Sequence, residues 1–164
     1  MVRQMKKTNV MRILDAAGIA YDSGSYDDDG EHELERGATE RAAEKLGVPP
    51  EAVFKTIVMR TDTKEVCVFC VAAPDEINLK KARAAIGAKE VVPVKPSELP
   101  ALTGYVRGGC SPIGMRKKYR TFLDSRAMDM ERIYISAGVR GCHIALSPAA
   151  LAEAAGAAVC PLAL

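Results

Sequence analysis

The chain has 164 residues, 48% of them hydrophobic, with no Trp, 5% aromatics and a formal net charge of +2. That length and apolar content suit one domain, 1–164, with a largely aliphatic core that needs no disulfide staples. No stretch approaches the roughly 20 apolar residues of a membrane span, and basic Met1–Lys7 is not followed by an apolar run with a cleavage site, so a cytoplasmic protein is expected.

Thr8 to Ala17 reads as an amphipathic helix, with Val10, Ile13, Leu14 and Ala17 on one face and Gly18 ending it. Ile19 to Tyr26 reads as extended and Asp27 to Gly37 as a polar loop. A helix is expected from Ala38 to Leu46, stopped by Gly47, and Pro49-Pro50 forces a turn. Phe54 to Arg60 and Val66 to Ala72 are β-rich runs around a polar turn, a hairpin. Asn78 is placed to cap a helix through Ile86, Glu90 to Val94 is a short strand, and Ser97 is the expected cap of one helical turn. Thr121 to Leu123, Arg132 to Ser136 and Cys142 to Leu146 read as strands, and Ser147-Pro148 opens a last helix that Gly156 ends. So many strands among the helices predict a mixed, partly antiparallel sheet rather than a simple βαβ wind.

Five cysteines, an odd number, argue against a secreted disulfide framework. Cys67 and Cys70 form a C-x-x-C inside an apolar strand, where positions three apart face opposite sides of the sheet. They are expected to be core residues, and with only His32 and His143 besides, no metal site is expected. Charge is uneven: Asp22, Asp27, Asp28, Asp29, Glu31, Glu33 and Glu35 cluster early, whereas the densest basic run is Arg116-Lys117-Lys118-Tyr119-Arg120. A basic face of that kind suits either solvent or a polyanion such as tRNA.

The most informative segment is Gly108-Gly109-Cys110-Ser111-Pro112-Ile113-Gly114. Its glycines permit an irregular backbone whose N–H groups can line a nest for an oxyanion, or simply make a tight turn. It is neither a Walker loop nor a dinucleotide fingerprint. Gly138-Val139-Arg140-Gly141 is a second break, beside Ser136, and Arg140 can meet a phosphate bidentately. Lys55 falls on the same side of its strand as Ile57 and Met59, so it either snorkels to solvent or points into a cleft.

Taken in order, Val53-Phe54-Lys55-Thr56-Ile57-Val58, Leu79-Lys80-Lys81, Thr103-Gly104-Tyr105, Gly108 to Gly114 and Ile135 to Gly141 resemble the motifs of the YbaK/EbsC family. The resemblance runs from about Thr8 to the C-terminus. It implies an α/β (α+β) fold, one domain built on a mixed, largely antiparallel, barrel-like sheet flanked by helices. It also implies a trans-editing aminoacyl-tRNA deacylase that releases cysteine, or alternatively alanine, from tRNA(Pro), with no cofactor and with prolyl-tRNA synthetase as an associate.

By the same resemblance, Lys55, Gly108, Gly109, Cys110 and Ser111 carry the catalysis. Tyr26, Thr56, Pro112, Ile113, Gly114, Ser136, Gly138 and Arg140 bind the substrate. In cysteine-specific members the substrate thiol attacks its own ester, so Cys110 is expected to line the pocket, with a nucleophilic role second. Two departures bear on the amino-acid preference: His143 stands where such relatives often carry Asp, and Ala38 where some carry Phe. Other readings are a non-catalytic aminoacyl-tRNA or nucleotide-binding module, a regulatory DNA-binding protein, and a thiol or metal enzyme using Cys67 and Cys70. For the DNA-binding reading no helix-turn-helix is visible.

Overall fold

A computed structural model describes residues 6–26 and 38–164, with the backbone alone for Ala38. The polar loop expected at Asp27 to Gly37, with six of the seven clustered acids and His32, lies outside them.

Local signals set most boundaries. Helix α1 spans Asn9–Ala16, capped by Thr8, whose hydroxyl accepts from the Met11 N–H at 3.3 Å. Helix α2 is Ala38–Leu46. Helix α3, Leu79–Ile86, starts at Asn78, whose Oδ1 accepts from the N–H groups of Lys80 (2.9 Å) and Lys81 (3.2 Å), and ends at left-handed Gly87. Each such cap is worth about 1 kcal/mol. Helix α5, Pro148–Ala155, has Ser147 as its cap and Gly156 as its left-handed stop.

Between α3 and α5 the structure departs from the expected cap at Ser97. Ser97 lies inside a 3-10 turn, Pro96–Glu98, which leads into a short helix α4, Leu99–Thr103. The capping group is instead the Glu98 carboxylate, which accepts from the Lys95 N–H at 2.9 Å and pairs with Arg60 at 3.0 Å. Pro100 in the first turn of α4 supplies the preset φ that starts it.

Among the described residues eight strands form two sheets. Strands β1 (Asp22–Ser25), β7 (Cys142–Leu146) and β6 (Ile133–Ser136) make an antiparallel sheet in the order β1-β7-β6. The larger sheet has the order β4-β2-β3-β5-β8, from β4 (Val91–Pro93), β2 (Phe54–Thr61), β3 (Val66–Ala72), β5 (Arg120–Asp124) and β8 (Ala157–Cys160). Its β2–β3 and β2–β4 pairs are antiparallel, and its β3–β5 and β5–β8 pairs are parallel. The fold is thus mixed α/β and largely antiparallel. The barrel does not close: among the described residues a single bridge, Val53 to Tyr134, joins the two sheets.

Strand β8 was not legible in the sequence. Ala157-Ala158-Val159-Cys160 has neither β-branched enrichment nor alternation, and its place is fixed by pairing with β5.

The main core lies between the sheets and under α1 and α5, where Leu14, Phe54, Val58, Ile113, Leu123, Ile135, Ile144 and Leu151 pack together. A second core on the far side of the larger sheet joins Met59, Phe69, Val71, Ile86, Phe122 and Leu162. Strand β3 is buried on both faces, which is why it reads as an unbroken apolar run. Its two cysteines belong to different cores, Cys70 to the first and Cys67 to the second. Burial raises both thiols, Cys67 to about 11 and Cys70 to about 12.

Candidate functional site

The site forms beside the bridge that joins the two sheets. The first residues of β2, the paired end of β6 and start of β7, and α2 all line it. Between them lies a cavity of about 140 Å³. That is close to a cavity that holds one benzene-sized group, so it accommodates a small side chain.

Seven of the residues expected from the sequence line it: Tyr26, Lys55, Thr56, Gly108, Cys110, Ser136 and Arg140. Lys55 is half-buried, and its ammonium donates to the Ala73 carbonyl at 3.2 Å. It therefore points along the cavity wall rather than snorkelling to bulk water. The Ser136 hydroxyl accepts from the Gly138 N–H at 3.1 Å, which shapes the second loop. Arg140 donates through Nε to the Arg107 carbonyl at 3.0 Å, tying that loop to the glycine-rich one. Cys110 is half-buried, and burial raises its thiol to about 11. At neutral pH only about one part in ten thousand is thiolate, the opposite of an activated nucleophile.

The structure does not bring Gly109, Ser111, Pro112, Ile113, Gly114 or Gly138 to the cavity wall. After Cys110 the loop turns inward. The Ser111 hydroxyl accepts from the Ile113 N–H at 3.3 Å, and both residues are fully buried. The Tyr105 hydroxyl donates to the Ile113 carbonyl at 2.6 Å. Gly114, at φ +75°, packs so closely on α1 that a Cβ would stand 2.7 Å from Ile13 Cδ1. Pro112 and Gly114 face a separate groove with Lys117, Lys118 and Glu153. Gly109 sits against the second loop, and its N–H donates to the Val106 carbonyl at 3.0 Å. Sequence reasoning treated the seven-residue loop as one nest, whereas only its first part reaches the cavity.

Sequence reasoning also missed His143 and Tyr134 as wall residues. The His143 ring stacks on Tyr26 (centroids 6.4 Å, 27°) and is tilted against Tyr134 (5.9 Å, 49°). Its Nδ1 is buried without a hydrogen-bond partner among the described residues, and burial lowers its pKa. The available signal was register: β7 alternates, so His143 faces away from buried Cys142 and Ile144, toward Ser136 on β6 and Gly24 on β1. Ala38, the other noted departure, has no described side chain.

Residues 33–154 match the model of the aminoacyl-tRNA editing domain. The chain belongs to that family. EbsC of Enterococcus faecalis, named as a Cys-tRNA(Pro)/Cys-tRNA(Cys) deacylase, is 36% identical over 149 residues, covering 91% of this chain and 88% of its own. The proline–tRNA ligase of Shouchella clausii is 33% identical over 104 residues, 63% of this chain but only 18% of the ligase. The fold is shared with a solved protein named as a trans-editing enzyme for prolyl tRNA synthetase (TM-score 0.81, 20% identity, 96% and 98% covered). It is also shared with hypothetical protein APE2540 (TM-score 0.83, 21% identity, 94% and 99% covered). In this editing domain, the part of the glycine-rich loop that reaches the cavity, Gly108 and Cys110, lines it together with Lys55, Ser136 and His143. No helix among the described residues is long and apolar enough to cross a membrane.

Proposed function

We propose that this editing domain acts in trans as a deacylase that frees tRNA(Pro) from mischarged cysteine. The observation that carries the proposal is the small cavity with two cations, Lys55 and Arg140, on its lining and no thiol poised to attack. An aminoacyl ester is already activated, so the site needs to orient it and to stabilise the oxyanion. Backbone N–H groups at Gly108 and Cys110 are the donors for that charge, and each such donor is worth about 10²–10³ in rate. Lys55 adds a positive charge in the same cavity, and the Ser136 hydroxyl, which accepts from the Gly138 N–H, has its own proton to donate to a substrate oxygen.

With cysteine bound, the substrate sulfur attacks its own carbonyl carbon and a thiolactone ring closes. The bond from that carbon to the ribose oxygen breaks, and the thiol proton ends on the ribose hydroxyl. Water does not enter the balance, and the rate gain is that of an intramolecular reaction. His143, held neutral by burial, is the proton acceptor nearest to hand within the cavity wall. The name of EbsC supports cysteine as the amino acid, and the editing family supports tRNA as its carrier. Association with prolyl-tRNA synthetase would add selectivity that a small cavity lacks.

The test is deacylation of tRNA(Pro) charged separately with cysteine, alanine and proline. Cysteine should be lost fastest, with proline spared. Faster loss of alanine would keep the deacylase and discard the thiol route. No loss of any of the three would make this a binding module.

A further inference from the structure

Two loop tips frame the cavity mouth. Val106 and Arg107 precede the glycine-rich loop, and Val139 and Arg140 lie in the second. The tips touch: a Cβ on Gly109 would come within 3.0 Å of Arg140 N and 3.1 Å of Val139 C, and Arg140 Nε donates to the Arg107 carbonyl. Val106 and Val139, one on each tip, are exposed at 47% and 48%.

The same tips carry two arginines. Arg60, Arg120, Arg126 and Arg132 each pair with a carboxylate. Among the described residues neither Arg107 nor Arg140 has such a partner. With its Nε committed, the Arg140 guanidinium keeps its two terminal nitrogens as a fixed fork.

We propose that this rim of Val106, Arg107, Val139 and Arg140 binds the single-stranded 3′ end of tRNA, the arginines holding internucleotide phosphate and the valines a base or ribose face. The inference rests on the deacylase reading for its substrate. Gly108 and Arg140 line the cavity, so Arg107 and Val139, their neighbours in sequence, stand at its edge. With the aminoacyl group in the cavity, the nucleoside and phosphate that follow it leave past these side chains. Guanidinium meets phosphate with charge-assisted, bidentate hydrogen bonds. Apolar contact with base faces tolerates any sequence, which suits an end that all tRNAs share.

Arg107→Ala is the clean variant, because Arg107 holds Arg140 only through its backbone carbonyl. Three esters of the same amino acid are compared: on full tRNA, on the trinucleotide CCA, and on adenosine alone, which has no internucleotide phosphate. The variant should lose about tenfold or more in kcat/KM on the first two, through KM. The loss on aminoacyl-adenosine should be under twofold.

An equal loss on all three esters would put Arg107 in the cavity chemistry and overturn the rim. A loss on full tRNA only would move the contact to the duplex and overturn it too, as would no loss at all. Fluorescence anisotropy with uncharged CCA gives a readout independent of turnover. If the wild-type protein cleaves nothing yet binds CCA more tightly than Arg107→Ala, the deacylase reading fails and the rim stands. Equal binding by the two proteins would sink the rim alone.

Discussion

Gly24 and His143 stand opposite each other across β1 and β7, and the imidazole occupies the space a side chain on Gly24 would need: a Cβ there would lie 2.5 Å from His143 Cε1. The glycine thus fixes where the ring can sit. Gly24→Ala should push the ring toward Tyr26 and Tyr134, at an overpacking cost of about 1–3 kcal/mol. Deacylation should fall by about tenfold or more, since displacements of an ångström in a site carry losses of that order. Kinetics together with a melting curve separate the two effects. Unchanged kinetics would mean that the ring position is irrelevant to turnover.

The pH profile follows from the same ring. Burial lowers the His143 pKa below its ordinary value. The imidazole is therefore neutral at neutral pH and charges only in acid. If it accepts a proton from substrate, kcat should be flat near neutrality and fall as pH drops through that lowered pKa. Stability should fall in the same direction, starting below about 6.5, where the unfolded chain begins to bind the proton that the folded chain resists. In His143→Gln the acid limb of kcat should disappear; its persistence would assign the limb to another group.

Lys55 and Cys110 should part company on mutation. Lys55→Ala removes one of the two cations on the cavity lining and should cost about 10² or more in kcat/KM, with tRNA binding nearly intact. Cys110→Ala replaces a protonated thiol and should retain activity within a few-fold. Abolition of single-turnover cleavage by Cys110→Ala would restore the nucleophile reading.

Of the run Arg116 to Arg120, the last arginine is spent on structure, paired with Glu65 through two bonds of 2.9 Å. Lys117 and Lys118 are exposed and have no ion pair among the described residues. Replacing both by Ala should make the log–log dependence of tRNA affinity on salt less steep by about 1–2. An unchanged slope would place the tRNA on another face.

Buried Asp124 accepts from the Leu162 N–H at 2.9 Å and holds the C-terminal residues against β5. Asp124→Ala strands that donor and should destabilise the protein by about 1–3 kcal/mol in urea melts, and Asp124→Asn by less. Equal losses in the two variants would mean that the bond contributes nothing.

How much of this could be read from the chain depends on whether the signal was local. Thr8, Asn78, Ser147 and the glycines after α3 and α5 act within one turn, and the helices they bound were legible. The hairpin of β2 and β3 was equally plain, because β-branched runs flank a polar turn. Strand β8 and the parallel β3–β5 pairing arise from contacts remote in sequence, which no periodicity records. For the site, the motifs located Lys55, Cys110 and Ser136, but not which part of the glycine loop turns inward. That is decided by Tyr105 and α1. His143 drew attention only as an odd residue, and its place in the wall needed the register of three strands.

The division of labour inside Gly108 to Gly114 sets the terms on which such a protein can acquire a new preference. Positions 111–114 are fasteners, so a library that varies them will mostly sample misfolded chains. Thr39, Ala42 and Leu46 on α2 border the same space from another element. Change of amino-acid taste is cheapest there, by resizing one helix face while the loop that frames the ester stays as it is.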